Sequence, residues 1–231
     1  MYYLLNYVLP SVVTLGLVFA FAFGSYKATE NKDEKAKMLP IIILWAALVA
    51  AEIWKISYLI ATDGSFNPNR YPIVFCSMVM YAIPLFAFKE NRFSKIAKLF
   101  TLITSIFAVV MFFATQWQYP FEGMNIHSYF YHGSMLAISV YMILIRAYTF
   151  EKNDFYKLFL VLAGYVAMNT VLGLVVGDYI SLFGPNSSYL GFLDGIFGFL
   201  PKNFLVIIVM YLLCLGVFKL IELGKKKGGK Q

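Results

Sequence analysis

The sequence predicts an all-α polytopic membrane protein. It has seven transmembrane helices, the N-terminus outside and the C-terminus in the cytoplasm. Three observations carry this reading. Hydrophobic residues make up 61% of the chain and charged residues only 13%, against about 25% charged in a soluble domain. Mean hydropathy is +0.72. Seven apolar runs reach the roughly 17–25 residues that a helix needs to cross a bilayer, and basic residues gather in alternate loops between them. The whole chain, residues 1–231, reads as one membrane-embedded domain of a multi-pass protein of the cell membrane.

The seven runs are Leu4–Tyr26, Leu39–Ala61, Tyr71–Phe88, Ile96–Thr115, Ser128–Phe150, Phe155–Val176 and Asn203–Ile221. Most lack two-residue alternation, which argues against a β-barrel. The first run has no basic leader and no small-residue cleavage site before Gly24, so it reads as a retained span rather than a signal peptide.

Loop charge sets the orientation. Lys27–Lys37, Lys89–Lys98, Arg146–Lys157 and the tail from Lys219 hold sixteen basic residues, and the opposite loops hold two, Arg70 and Lys202. Positive charge marks the cytoplasmic side. The net charge of +7 is this signal together with attraction to anionic lipid. Nothing in the chain resembles a base-stacking motif, so nucleic acid is not an expected partner. The outer loop 177–202 is long, and loops beyond about 12–15 residues are usually functional or disordered. It is too hydrophobic for disorder and is expected to pack over the outer face, with a short interfacial helix around Tyr189–Phe199. Residues 222–231 form a basic cytoplasmic tail.

Within these spans sit Glu52, Lys55, Cys76, His132 and Asn169. Ionisable groups in hydrocarbon are costly and mark functional candidates. At about 1.5 Å per helical residue, Lys55 lies roughly 9 Å and Glu52 roughly 13 Å below the outer edge. Cys76 lies about 8 Å, His132 some 6–8 Å and Asn169 about 10 Å down. The shared depth points to one cavity in the outer half of the bundle.

Each residue has a plainer reading. Lys55 can snorkel and pair with Glu52 along one helix face. A buried Cys is often a small inert hydrophobe, the reading given to Cys214. Cys76 differs in having Pro72, Ser77 and a His around it. His127 falls at the interface and reads as solvated. Asn169 and Tyr165, one turn apart, read as a bridge between helices. Asp178 reads as a turn or cap.

Cys214 lies about 17 Å deep, too far from Cys76 for the roughly 7 Å Cα separation of a disulfide. No CxxC, HxxxH, P-loop, GxSxG or GxGxxG pattern occurs, so neither metal nor cofactor is expected. A Cys with a His is the minimal pair for acyl chemistry, because the imidazole activates the thiol and then returns the proton. In a membrane the natural acyl substrate is a lipid ester, with Lys55 available to a phosphate and Asn169 or backbone N–H groups to the oxyanion.

The run Tyr71-Pro72-Ile73-Val74-Phe75-Cys76-Ser77-Met78, the Glu52/Lys55 pair and Phe130-Tyr131-His132-Gly133-Ser134 resemble the YwaF family of bacterial integral membrane proteins. That family is similar to the animal transmembrane-protein-164 acyltransferases. Asp178-Tyr179-Ile180-Ser181-Leu182, Gly184-Pro185, Leu193-Asp194 and Leu200-Pro201 add weaker matches, so the resemblance covers roughly Ala51 to Phe218. It implies a seven-helix fold and phospholipid acyl transfer, with Cys76 as nucleophile and His132 as base. Glu52 would orient His132 or Lys55. The sequence departs from the pattern at Val74, where a polar residue is usual, and at Asp178, where Asn is usual. The competing reading is a non-enzymatic binding or transport subunit that captures a small solute or lipid in the same pocket. Oligomeric state is open.

Overall fold

The computed structural model describes residues 8–63, 75–114, 123–148, 150–176, 196 and 198–228. Regular structure among them is entirely helical, as the sequence predicts. The helices are α1 (Leu9–Thr29), α2 (Glu34–Asp63), α3 (Met78–Ala82), α4 (Pro84–Ala87), α5 (Ser94–Ala114), α6 (Gly123–Leu144), α7 (Lys152–Val176) and α8 (Phe199–Gly228). Among the described residues, three stretches are long and apolar enough to cross a membrane: Leu9–Thr29, Glu34–Thr62 and Lys202–Leu220. The surfaces are apolar, with Leu17, Ile53, Phe204 and Leu220 largely exposed. Such extensive apolar exposure fits a hydrocarbon surround and not water. The loops around Arg70 and Asp178, and nearly all of the expected interfacial helix Tyr189–Phe199, lie outside the described residues.

The chain falls into two compact units, 1–150 and 151–231. In the first, α6 is the central helix and packs against α1, α5 and α2. Small residues let the backbones approach. A Cβ on Gly133 would come within 2.9 Å of the Thr14 methyl on α1. Hydroxyls bond across helices: Ser105 Oγ lies 2.8 Å from Ser139 Oγ and donates to or accepts from that partner, while also reaching the Met135 carbonyl at 2.9 Å. Tyr141 donates to the Lys37 carbonyl at 2.9 Å and meets Thr29 Oγ1 at 2.7 Å. This ties the end of α1, the start of α2 and the late part of α6 together, so α6 runs parallel to α1 and antiparallel to α2.

Helix ends follow local chemistry. Asp33 caps α2 by accepting from the Ala36 N–H at 2.9 Å. That cap starts α2 five residues before the apolar run at Leu39. The fifth predicted span, Ser128–Phe150, is shifted: α6 runs Gly123–Leu144. Arg146 takes a left-handed φ of 55°. The Ala147 N–H bonds the Met142 carbonyl at 2.9 Å and the Arg146 N–H bonds the Ile143 carbonyl at 3.1 Å. These are the two bonds of a Schellman cap. Residue-type hydrophobicity continues past this point, but the backbone does not.

The described part of the third predicted span is two short helices, α3 and α4, broken at Pro84. Proline has no N–H to give to the carbonyl four residues back, here Met80. Trp45 Nε1 on α2 donates to that freed carbonyl at 2.8 Å. Trp45→Phe is therefore expected to lower stability by about 1–3 kcal/mol, the cost of an orphaned acceptor. In a Pro84→Ala background, where residue 84 regains its N–H, the same change should cost less. Thermal unfolding of the four proteins in detergent measures the difference.

In the second unit α7 and α8 form an antiparallel pair. Phe155 meets Phe218 at 4.5 Å and Phe159 meets Tyr211 at 5.3 Å between ring centroids. At the other end Asn203 Nδ2 donates to Thr170 Oγ1 at 3.4 Å. Asp154 Oδ2 accepts from the Glu151 N–H at 3.0 Å and caps α7. Lys202, expected in the outer loop, lies instead in the first turn of α8 and is fully buried.

Candidate functional site

The polar residues of the first unit converge near the C-terminal half of α2 and the start of α6. Glu52 and Lys55 stand one turn apart on α2 and form an ion pair between Lys55 Nζ and Glu52 Oε2. They are 3% and 9% exposed, so the pair is buried rather than snorkelling to the surface. Ser77 Oγ, also buried, donates to Glu52 Oε1 at 3.0 Å. Two charges of opposite sign, close together and hydrogen-bonded, are the form in which ions are tolerated in a low-dielectric interior.

Cys76 precedes Ser77 in the turn that leads into α3 and is half-buried. The neighbouring Phe75 fixes this turn by edge-on packing against Phe100 at 5.4 Å and Phe107 at 5.5 Å on α5. Cys76 lies within electrostatic reach of both Glu52 and Lys55.

The start of α6 supplies two imidazoles and a phenol. His127 Nε2 is 4.0 Å from Glu52 Oε1. Its ring stacks between Trp54 at 6.0 Å and Tyr131 at 5.4 Å. Gly123 makes room for Trp54, since a Cβ there would sit 3.2 Å from the indole. The expected solvated position of His127 is thus corrected: it is buried. An extra turn of α6 before Ser128 carries it inward. Tyr131 is 2% exposed and its hydroxyl lies within reach of Ser77, Glu52 and Cys76.

His132 is half-buried on the next face of α6. Its Nδ1 is 2.9 Å from the Ser128 carbonyl and 3.1 Å from Ser128 Oγ. A carbonyl only accepts, so Nδ1 carries the hydrogen and the lone pair of the neutral ring sits on Nε2. That is the tautomer a base needs. Glu52 pairs with Lys55, and Ser128 holds Nδ1 of His132. His132 lies within electrostatic reach of Glu52, Lys55 and His127.

Within the first unit the cluster lies far from the basic segment that ends at Lys37. His127 is fourteen residues before Tyr141, which marks the Lys37 end, or roughly 21 Å along α6. On a different face of α6, an apolar groove of ≈ 500 Å³ runs between α1 and α6, with Leu17, Phe21, Leu44, Phe130 and Gly133 in its wall.

Asn169 belongs to the second unit and donates to the Tyr165 carbonyl of its own helix at 2.9 Å. A bridge between α7 and α8 is made by Asn203 and Thr170. Among the described residues no group of three His, Cys, Asp or Glu side chains is placed to hold a metal. Ser77, His127 and Tyr131 were not among the candidates read from the sequence. The i,i+4 spacing of His127 and Tyr131 was the available signal, since it puts both on one face of a helix that begins before Ser128.

No curated protein and no solved structure matches the chain. The model of the TMEM164 family matches residues 3–221, nearly the full length, and the protein belongs to that family.

Proposed function

We propose that the protein is a phospholipid acyltransferase of the cell membrane that works through a thioester at Cys76. The observation that carries this reading is the convergence of a half-buried thiol, a buried ion pair and imidazoles at one end of the first unit. Resemblance to the YwaF and transmembrane-protein-164 acyltransferases supports it. His132 Nε2 takes the thiol proton as Cys76 Sγ attacks the ester carbonyl carbon of a phospholipid. A C–S bond forms, the ester C–O bond breaks, and the proton passes to the departing lysolipid oxygen. In the second half an acceptor hydroxyl gives its proton to His132 and attacks the thioester. The new C–O bond forms and sulfur leaves with the proton. Lys55, neutralised by Glu52 at rest, contacts the headgroup phosphate.

The reaction belongs to the outer leaflet if all seven runs span the bilayer with the N-terminus outside. Basic-loop asymmetry supports that orientation, and so does the position of the cluster away from the basic end. Cysteines introduced at Asn31 and Asn153, in a protein lacking Cys76 and Cys214, should resist an impermeant thiol reagent in intact cells. Labelling at either position sinks the topology.

The direct test of the chemistry is a trapped intermediate. Protein incubated with phospholipid should carry an acyl group on Cys76 that hydroxylamine removes. The second reading, a non-enzymatic lipid or solute binder or transport subunit, draws support from the apolar groove between α1 and α6. It requires lipid capture with no acyl adduct.

A further inference from the structure

Buried hydroxyls in the first unit are characteristically paired. Ser77 donates to Glu52, Ser105 and Ser139 bond each other, and Tyr141 donates to the Lys37 carbonyl. Tyr131 departs from this pattern. It is 2% exposed, yet its hydroxyl, with Ser77 close by, has no partner at full hydrogen-bond geometry. A buried donor left unmade is costly, and such a group in a folded protein calls for an explanation.

Its surroundings supply one. The ring is held by stacking on His127 at 5.4 Å and by edge-on contact with His132 at 6.3 Å. The hydroxyl is therefore fixed in place without spending its proton. It lies near the Cys76–Ser77 turn, which carries the proposed nucleophile. A fixed donor, shielded from water and aimed at the place where charge develops, is the arrangement that stabilises a tetrahedral intermediate. Glu52 near this hydroxyl disfavours a permanent anion at that point, as distinct from the phosphate assigned to Lys55. It suits a neutral ester carbonyl that becomes negative only during reaction, with Lys55 close by to offset the carboxylate.

We propose that the Tyr131 hydroxyl is the oxyanion donor for acyl transfer at Cys76. As Sγ adds to the carbonyl carbon, the C=O electron pair moves to oxygen and the Tyr131 O–H donates to it. When that pair returns, the ester C–O bond breaks. Tyr131 is then a catalytic residue. The proposal rests on the reading of Cys76 as the nucleophile. It takes over the part given to Asn169, whose amide donates to its own helix.

The test compares two reactions of Cys76 in full-length wild-type and Tyr131→Phe protein. One is acylation by phosphatidylcholine vesicles with an alkyne-tagged acyl chain. The other is alkylation by iodoacetamide, which displaces iodide and develops no oxyanion. Tyr131→Phe should slow acylation by about 100-fold or more, the usual effect of deleting one such donor. Alkylation should change less than twofold, and the variant should stay folded. Acylation within threefold of wild type overturns the oxyanion role while leaving the thioester reading intact. A parallel loss in alkylation overturns it in favour of a packing role. If wild-type protein forms no acyl adduct, the thioester reading fails and takes this proposal with it.

Discussion

Replacing Cys76 by Ala is expected to abolish acyl-adduct formation and all turnover while the protein stays folded. The side chain is half-buried, so deleting the sulfur should change stability by only about 1 kcal/mol. Loss of a nucleophile, by contrast, removes the covalent route altogether. His132→Ala should slow adduct formation strongly and leave lipid binding in place, because in the proposed mechanism the Nε2 lone pair takes the thiol proton. Cys214→Ala is the control and should retain activity. Mass spectrometry of the adduct before and after hydroxylamine, alongside lipid turnover in vesicles, reads all four proteins. Full biological activity in Cys76→Ala hands the function to the binder reading.

The second large effect is on stability and concerns Glu52 and Lys55. Lys55→Ala leaves the Glu52 carboxylate at 3% exposure with the Ser77 hydroxyl but without its cation. Removing one partner of a buried pair costs about 3–5 kcal/mol. Glu52→Ala should cost a similar amount by stranding the ammonium. Replacing both together with Leu and Met should recover much of the loss, because a well-packed apolar pair avoids the desolvation penalty. Thermal unfolding in detergent measures the cycle. If the pair serves lipid headgroup binding, the stable double variant should remain inactive. A double variant that is both stable and active would remove Lys55 from the site.

The path from chain to site was unevenly legible. Apolar runs located α1, α2, α5 and α7 within a few residues and α8 less closely at its C-terminal end, because a long apolar stretch without two-residue alternation favours helix whatever the neighbours. Their ends depended on finer chemistry. The Asp33 cap drew α2 back to Glu34, and the left-handed Arg146 ended α6 at Leu144. An apolar tally sees neither. The region of Pro84 illustrates the same limit. Proline in the sequence signals a break, but the Trp45 indole that receives the freed carbonyl is 35 residues earlier in the chain.

By itself, the sequence determined that this is a helical protein with apolar surfaces and that Glu52 and Lys55 share a helix face. Both follow from local rules: hydrophobic transfer and 3.6-residue periodicity. Only the tertiary structure decided who meets whom. It paired Glu52 with Ser77, buried His127 beside them, left the Tyr131 hydroxyl without a partner at full hydrogen-bond geometry, and turned Asn169 onto its own backbone. These outcomes depend on helix rotation and register. A shift of one residue turns a side chain by about 100°, and interhelical packing at contacts such as Gly133 against Thr14 sets that angle, not the composition of either helix alone.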